Sequence, residues 1–464
     1  MMKGGNTMDF NEPKDLSEYS KRIEYLAEIT AKNSSIDPSL YSIYDVKRGL
    51  RENNGKGVLC GLTEISEVNA WRMIDGVKTP VDGSLRFRGV DVKDLVKNCV
   101  LEKRFGFEET VYLLLFGELP SQKELDDFIP FLRELCILPK NFLRDVILKK
   151  PCKDIMNMMS RCVLSLYAYD PNPDDTSREN VLRQSLQLIA QLPRLAIYSY
   201  RAYQYYATES GSLIIHKPRE DYSFAQNILH MLRKNSQFTD LEARILDICL
   251  ILHAEHGGGN NSTFTTHVVT SSGTDTYSSL VASLGSLKGP KHGGANLKVI
   301  EMFDNIKETL PDWSESTVRD YVRKILDKEA FDRTGLVYGM GHAVYTLSDP
   351  RAEILKSFAG KLAIEKGREE EFELYNTVAK VSTELIMENR NVVKAVSPNV
   401  DFYSGFVYQM LSLPKALYTP LFAISRIAGW SAHRMEEIVN GNKIIRPAYE
   451  CVAPQKPYVP IAQR

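Results

Sequence analysis

Apolar residues recur at three- and four-residue spacing along most of this chain, and that period confines it to a helical architecture. Ser121-Gln122-Lys123-Glu124 has the form of a capping box, after which Leu125, Phe128, Ile129 and Leu132 keep helical spacing. Val318, Tyr321, Val322 and Ile325 repeat the pattern behind Ser314, and residues 372–387 read as a further helix. Residues 278–287 mix Ser, Ala, Gly and Leu, which predicts a helix able to pack closely, a subunit interface being one place for it. Strand signals are confined to residues 57–89, where Thr63-Glu64-Ile65-Ser66-Glu67-Val68 alternates and Asp82-Gly83 reads as a turn. The expected fold class is therefore mainly α, with a small β element near the N-terminus. No internal repeat or low-complexity tract is present, and residues 170–177, rich in Asp and Pro, read as a surface loop.

At 464 residues the chain exceeds the size at which one hydrophobic core keeps growing, so two domains are expected. Its 58 basic and 59 acidic side chains nearly cancel, without a basic run to track a phosphate backbone, which argues against nucleic acid as a partner. No apolar run approaches the roughly 20 residues of a membrane span. Residues 1–25 are polar and carry acidic groups, unlike a secretory or transit peptide, so a cytoplasmic, bacterial enzyme with no membrane partner is expected. Seven scattered cysteines, never spaced C-x-x-C, read as reduced and structural.

Four segments carry the chemistry. Three are histidines in glycine-bearing loops: Glu255-His256-Gly257-Gly258-Gly259-Asn260, Lys291-His292-Gly293-Gly294-Ala295-Asn296 and Gly339-Met340-Gly341-His342. The fourth is Asn399-Val400-Asp401-Phe402-Tyr403. Glycine lets backbone and ligand approach closely, so histidines held there are expected to line a pocket. Apolar neighbours of Asp401 disfavour its charge and raise its basicity. His292 precedes a helix-like run, where the positive end of the helix dipole keeps an imidazole neutral. Arg426, flanked by Phe422-Ala423-Ile424-Ser425 and Ile427-Ala428-Gly429-Trp430, is expected to be buried against an anion. Read singly, Asp401 is equally a cap or turn residue, His292 a core or surface histidine, and each other arginine a surface salt-bridge partner.

Together with Val81-Asp82-Gly83-Ser84-Leu85-Arg86-Phe87-Arg88-Gly89, Ser348-Asp349-Pro350-Arg351, Ser425-Arg426-Ile427-Ala428-Gly429-Trp430 and Ile445-Arg446-Pro447, these blocks resemble the citrate synthase family in order and wording. The resemblance covers most of the chain. It implies a large helical domain (residues 1–293 and 414–464) interrupted by a smaller one (residues 294–413) that closes over the ligand. It implies condensation of acetyl-CoA with oxaloacetate, the entry step of the tricarboxylic acid cycle, without cofactor or metal and with acetyl-CoA as co-substrate. Asp401 would be the base, His292 the donor to the thioester oxygen, and His342 the polariser of the ketone. His256, His342, Arg351, Arg426 and Arg446 would bind oxaloacetate, with Arg446 serving the neighbouring subunit of a homodimer. The backbone of Leu336, Val337, Tyr338, Gly339, Met340 and Gly341 would contact coenzyme A.

Thr346 departs from the pattern, since many relatives carry Lys or Arg there and could use it on a CoA phosphate. Propionyl-CoA, the substrate of 2-methylcitrate synthases, differs from acetyl-CoA by one methylene and is the alternative acyl donor. Phe402 favours acetyl-CoA. From other classes stand a metal-binding protein, suggested by His253 and His256 at i and i+3, and a silent ligand-sensing homologue. The first lacks the order of zinc peptidase motifs, and the intact Asp401, His292 and His342 oppose the second.

Overall fold

The computed structural model describes residues 16–52, 55–207, 212–390, 396–441 and 443–464. The polar N-terminal reading therefore falls, for residues 1–15, outside the described residues. The chain divides into two compact units, residues 1–61 and 62–464. In the first, α1 (Leu16–Asn33) is followed by α2 (Pro38–Ile43), started by Asp37, whose side chain accepts from the Ser39 amide.

The second unit opens with an antiparallel three-stranded sheet in the order β1 (Ser66–Ile74), β2 (Val77–Phe87), β3 (Val90–Asp91). The β1–β2 hairpin turns at Asp75-Gly76, both at positive φ (51° and 78°), as a two-residue hairpin turn requires. Asp82-Gly83 is thus not a turn but lies within β2. Its glycine answers a different need: a Cβ on Gly83 would fall 2.3 Å from the Ser348 carbonyl oxygen and 2.6 Å from the Tyr345 ring. Ser348 and Tyr345 flank the site, so the sheet seals one of its sides.

The helices that follow are α3 (Val92–Leu101), α4 (Phe107–Phe116), α5 (Gln122–Leu135), α6 (Ile155–Tyr167), α7 (Arg178–Ala207), α8 (Phe224–Leu232), α9 (Asp240–His253), α10 (Asn261–Thr270) and α11 (Thr276–Lys288). The Ser121/Glu124 capping box starts α5, whose Leu125, Phe128 and Leu132 are buried. The small residues of α11 face α10 within the same chain, where Ser283 and Ser279 hydroxyls bond to Thr266 and Thr270 at 2.7 and 3.0 Å. In the loop at residues 170–177 the Asp170 side chain is buried. It is gripped by Arg183, Gln184 and Tyr277, which hold it at about 2 despite the desolvation of burial.

Next come α12 (Ala295–Thr309), α13 (Glu315–Leu326), α14 (Pro350–Lys366), α15 (Glu369–Arg390) and α16 (Val400–Met410). Ser314 caps α13 and its Val318, Tyr321, Val322 and Ile325 are buried, as the period predicts. These five pack largely on one another, with α14 also touching α3, α9 and β2. Last is α17 (Tyr418–Asn440), buried without interruption from Tyr418 to Arg434 and packed against α4, α6, α7, α9, α10 and α11. A helix covered on every side belongs in the core, and the arginine and histidine it carries there need partners. Cys99, Cys162 and Cys249 are buried, and burial pushes the Cys99 and Cys162 thiols up to about 12 and 11. Among the described residues no helix is long and apolar enough to cross a membrane.

Candidate functional site

The residues singled out converge where the loop after α9, the loops before α12 and α14, and the starts of α14 and α16 meet α17. Helix α9 ends at His253, and His256 follows in a loop where Gly257 takes φ 87°. His256 and His342 stand edge to face with ring centroids 5.0 Å apart, and His256 Nε2 lies 3.2 Å from the Tyr345 hydroxyl. Burial, helped by Arg351, His342 and Arg426, pushes His256 well below the ordinary histidine range, so it is neutral. The amides of Val344 and Tyr345 donate to His342 Nδ1 at 3.1 and 3.2 Å. An amide can only donate, so the His342 proton sits on Nε2.

His292 lies three residues before α12. The Ser262 amide and hydroxyl approach its Nε2 at 3.4 and 2.9 Å, and the Trp430 indole N–H donates to that hydroxyl at 3.1 Å. With Nε2 accepting, the ring proton is on Nδ1. Desolvation first, then Arg426, lowers His292 to about 4, so it too is neutral near pH 7.

Asp349 caps α14 and grips Arg351 twice, Nε–Oδ1 at 3.1 Å and Nη2–Oδ2 at 2.8 Å, while Oδ2 also accepts the Val400 amide at 3.3 Å. One carboxylate therefore fixes an arginine and the first turn of α16 together. Asn399 caps α16 by accepting the Asp401 amide at 2.9 Å. As a whole Asp401 is half-buried, yet its carboxyl is enclosed by protein. Desolvation prevails over the opposing Arg351 and Arg426, raising Asp401 to about 6.

Arg426 is 1 % exposed on α17; its Nε donates to the His253 carbonyl at 2.7 Å, and its Nη2 is buried without a hydrogen-bond partner among the described residues. A buried guanidinium nitrogen left without an acceptor is costly unless an anion meets it. Burial lowers Arg426 to about 10, with Glu255 opposing.

The segment from Leu336 to Gly341 runs past the start of α16. Gly339 and Gly341 have φ 81° and 86°, and a Cβ on Gly339 would strike the Phe402 ring at 2.9 Å. The Asn399 amide donates to the Gly339 carbonyl and the Gly341 amide to the Ser397 carbonyl, both at 2.8 Å. Val337 is buried, Tyr338 and Met340 half-buried, and Leu336 exposed. Thr346 is buried, its hydroxyl enclosed and without a hydrogen-bond partner among the described residues. Arg446 is exposed in an irregular C-terminal segment and is not brought to the histidines of its own chain. His253 turns its Nδ1 to the Cys249 carbonyl at 2.7 Å rather than sharing a face with His256.

Sequence reasoning missed Ser262, Asp349 and Tyr345 as supports. Asp349-Pro350, an N-cap followed by proline, was the readable signal for one. Asn260 before a helical run was another, since it caps α10 and so places Ser262 beside His292.

Residues 51–448 match the family model described as "Citrate synthase, C-terminal domain". The chain is 34% identical over 388 residues to a citrate synthase of Synechocystis sp., covering 82% of this chain and 89% of the relative. It is 32% identical over 426 residues to 2-methylcitrate synthase 1 of Corynebacterium glutamicum, covering 90% and 98%. Its structure superposes with TM-score 0.74 on Thermoplasma acidophilum citrate synthase in ternary complex with carboxymethyl coenzyme A and oxaloacetate, at 26% identity over 90% of this chain and 99% of that one. Pyrobaculum aerophilum citrate synthase gives 0.72 at 28% identity, covering 89% and 95%. A match across so much of the sequence, with the same largely helical fold, means that the chain belongs to the citrate synthase family and is an acyltransferase of that type.

Proposed function

We propose that the enzyme condenses acetyl-CoA with oxaloacetate and water to give citrate and CoA, as at the entry to the tricarboxylic acid cycle, in the cytoplasm. One observation carries this reading: an enclosed carboxyl raised to about 6 shares its surroundings with two neutral imidazoles and two buried arginines, one with an unpartnered Nη2. In the proposed course, Asp401 takes a proton from the thioester methyl while His292 Nδ1–H donates to the thioester oxygen as the enol forms. The enol carbon attacks the oxaloacetate ketone, whose oxygen takes the Nε2 proton of His342 and remains as the hydroxyl of the citryl thioester. Water then cleaves the citryl thioester, releasing CoA.

Arg351, Arg426 and His256 are placed to hold the carboxylates of oxaloacetate, with Arg446 of the partner subunit completing the set in a homodimer. The backbone from Leu336 to Gly341 contacts CoA. Residues 294–413, whose helices α12 to α16 pack mainly on one another, form the part that closes. No metal or cofactor enters these steps.

Relatives named 2-methylcitrate synthase match about as well as those named citrate synthase, which keeps propionyl-CoA as the second reading. Acetyl-CoA is favoured because Phe402 is the aromatic residue that follows the catalytic aspartate in many citrate-forming relatives; the two acyl groups differ by one methylene, worth about 1–3 kcal/mol. Thiol release from each thioester with oxaloacetate tests it. The expected result is a larger kcat/KM with acetyl-CoA; a larger value with propionyl-CoA installs the second reading.

A further inference from the structure

Beneath the His256 loop lies a polar cluster that the proposed chemistry does not use. His267 on α10 and His433 on α17 meet with Nε2 and Nδ1 3.1 Å apart, and Glu436 Oε2 lies 3.7 Å from the same Nδ1. All three ligand atoms lie within 4.8 Å of one another. Each imidazole turns its other nitrogen to a carboxylate. His267 Nδ1 is 2.8 Å from Glu437 Oε2, and His433 Nε2 is 3.1 Å from Glu255 Oε1, close enough for an ion pair although the N–H is not aimed along it.

We propose that His267, His433 and Glu436 form a binding site for one divalent ion of the zinc type. Carboxylates behind the ligating imidazoles are the recurrent support of histidine–metal sites, because they fix the ring and raise its basicity. Ligand atoms of a tetrahedral ion with bonds of about 2.0–2.1 Å lie roughly 3.3 Å apart, so the two nitrogens are already spaced for it and the carboxylate needs only a small swing. Independently, Glu436 Oε2 is a buried oxygen with no hydrogen-bond partner among the described residues, beside a His433 that is 0 % exposed. Three carboxylates, those of Glu255, Glu436 and Glu437, surround the two imidazoles, with Arg426 facing Glu255. Arg88 also lies near Glu436 and Glu64 and partly balances their charge.

Gly258 leaves the space above the cluster. A Cβ there would stand 3.5 Å from His433 and 3.9 Å from His267 Nε2, so the ion would tie α10 to α17 directly under the loop that holds His256. Two nitrogens and one oxygen leave the fourth position of a tetrahedron to water. The ion touches no substrate in this arrangement and would act by fixing the loop.

The test uses the full chain without an affinity tag, stripped by a chelating resin, titrated with Zn(II) in a calorimeter and with Co(II) in an absorption cell. We expect about one Zn(II) per chain and visible Co(II) bands without the intense near-ultraviolet band of thiolate ligation. His267→Ala and Glu436→Gln should each weaken binding about tenfold or more and abolish the Zn(II)-dependent rise in thermal midpoint. Glu437→Gln, behind the ligand, should cost about 10- to 100-fold. Should His267→Ala fail to fold by circular dichroism, the near-isosteric Glu436→Gln decides alone. No binding tighter than about 10 μM, affinity unchanged in Glu436→Gln, or a thiolate band pointing to the cysteines would each overturn the proposal.

Discussion

Asp401 is pulled in two directions. The start of α16 and two arginines favour its carboxylate, while enclosure by the surrounding protein removes the water that would solvate it. Enclosure prevails, and a raised base is a stronger one. Its pH consequence has a definite sign: a protonated Asp401 accepts nothing, so kcat/KM should rise with pH through about 6 and level off above it. His292, lowered to about 4, stays neutral across that window and should not add a second limb. A profile flat from pH 5 to 8 in a pH-rate measurement would remove Asp401 from the base role. Asp401→Asn removes only the proton acceptor and leaves the Arg351–Asp349 pair and Arg426 in place. Turnover should fall by about 10² to 10⁴ while oxaloacetate still binds in calorimetry. The two neutral imidazoles owe their proton positions to backbone amides, of Ser262 for His292 and of Val344 and Tyr345 for His342, which cannot exchange donor and acceptor roles.

Helix α17 sets the distance between these groups. At Gly429 it passes so close to the loop after α9 that a Cβ would lie 2.5 Å from the Ala254 carbonyl oxygen and 2.2 Å from Glu255 Oε2. Neither atom can retreat easily, since one is backbone and the other belongs to a carboxylate held by Ser66 and His433. Gly429→Ala should therefore cost about 1–3 kcal/mol and, by pushing Arg426 off the His253 carbonyl, weaken oxaloacetate binding. Thermal unfolding and calorimetry would show both, and a variant with wild-type midpoint and affinity would mean that the helices separate freely here. This contact also marks how far the sequence could be read. Helix caps and apolar periods are local, so the Ser121/Glu124 box, the Ser314 cap and the buried faces behind them were legible. Arg426 was legible too, because apolar flanks imply burial whatever the partner. The Asp82-Gly83 turn failed because glycine answers to close approach as readily as to a turn, and only the packing of Ser348 and Tyr345 tells which. Ser262, Asp349 and the His267–His433 pair were hidden for a similar reason: their partners lie 30 to 166 residues away or act through backbone amides, which no spacing in the sequence records.

At the scale of the whole molecule, Arg446 is the residue that does not fit a single chain. It belongs to an exposed, irregular C-terminal segment, while Arg351 and Arg426 are 3 % and 1 % exposed beside Asp401. If two copies pair about a two-fold axis, each C-terminal segment can lie beside the partner's pocket, and the third arginine of the oxaloacetate clamp is supplied from outside the chain. This predicts complementation between two inactive variants. Arg446→Ala and Asp401→Ala homodimers should each be nearly inactive. Unfolded together and refolded as an equal mixture, they should pair at random, giving about half mixed dimers. In each mixed dimer one site collects both lesions, whereas the other takes Asp401 from the first variant and Arg446 from the second and is intact. Activity in the thiol-release assay should recover to roughly a quarter of wild type on this symmetry argument. Native mass spectrometry establishes whether mixed dimers are present. Mixed dimers without recovered activity would mean that Arg446 serves its own chain or no site at all.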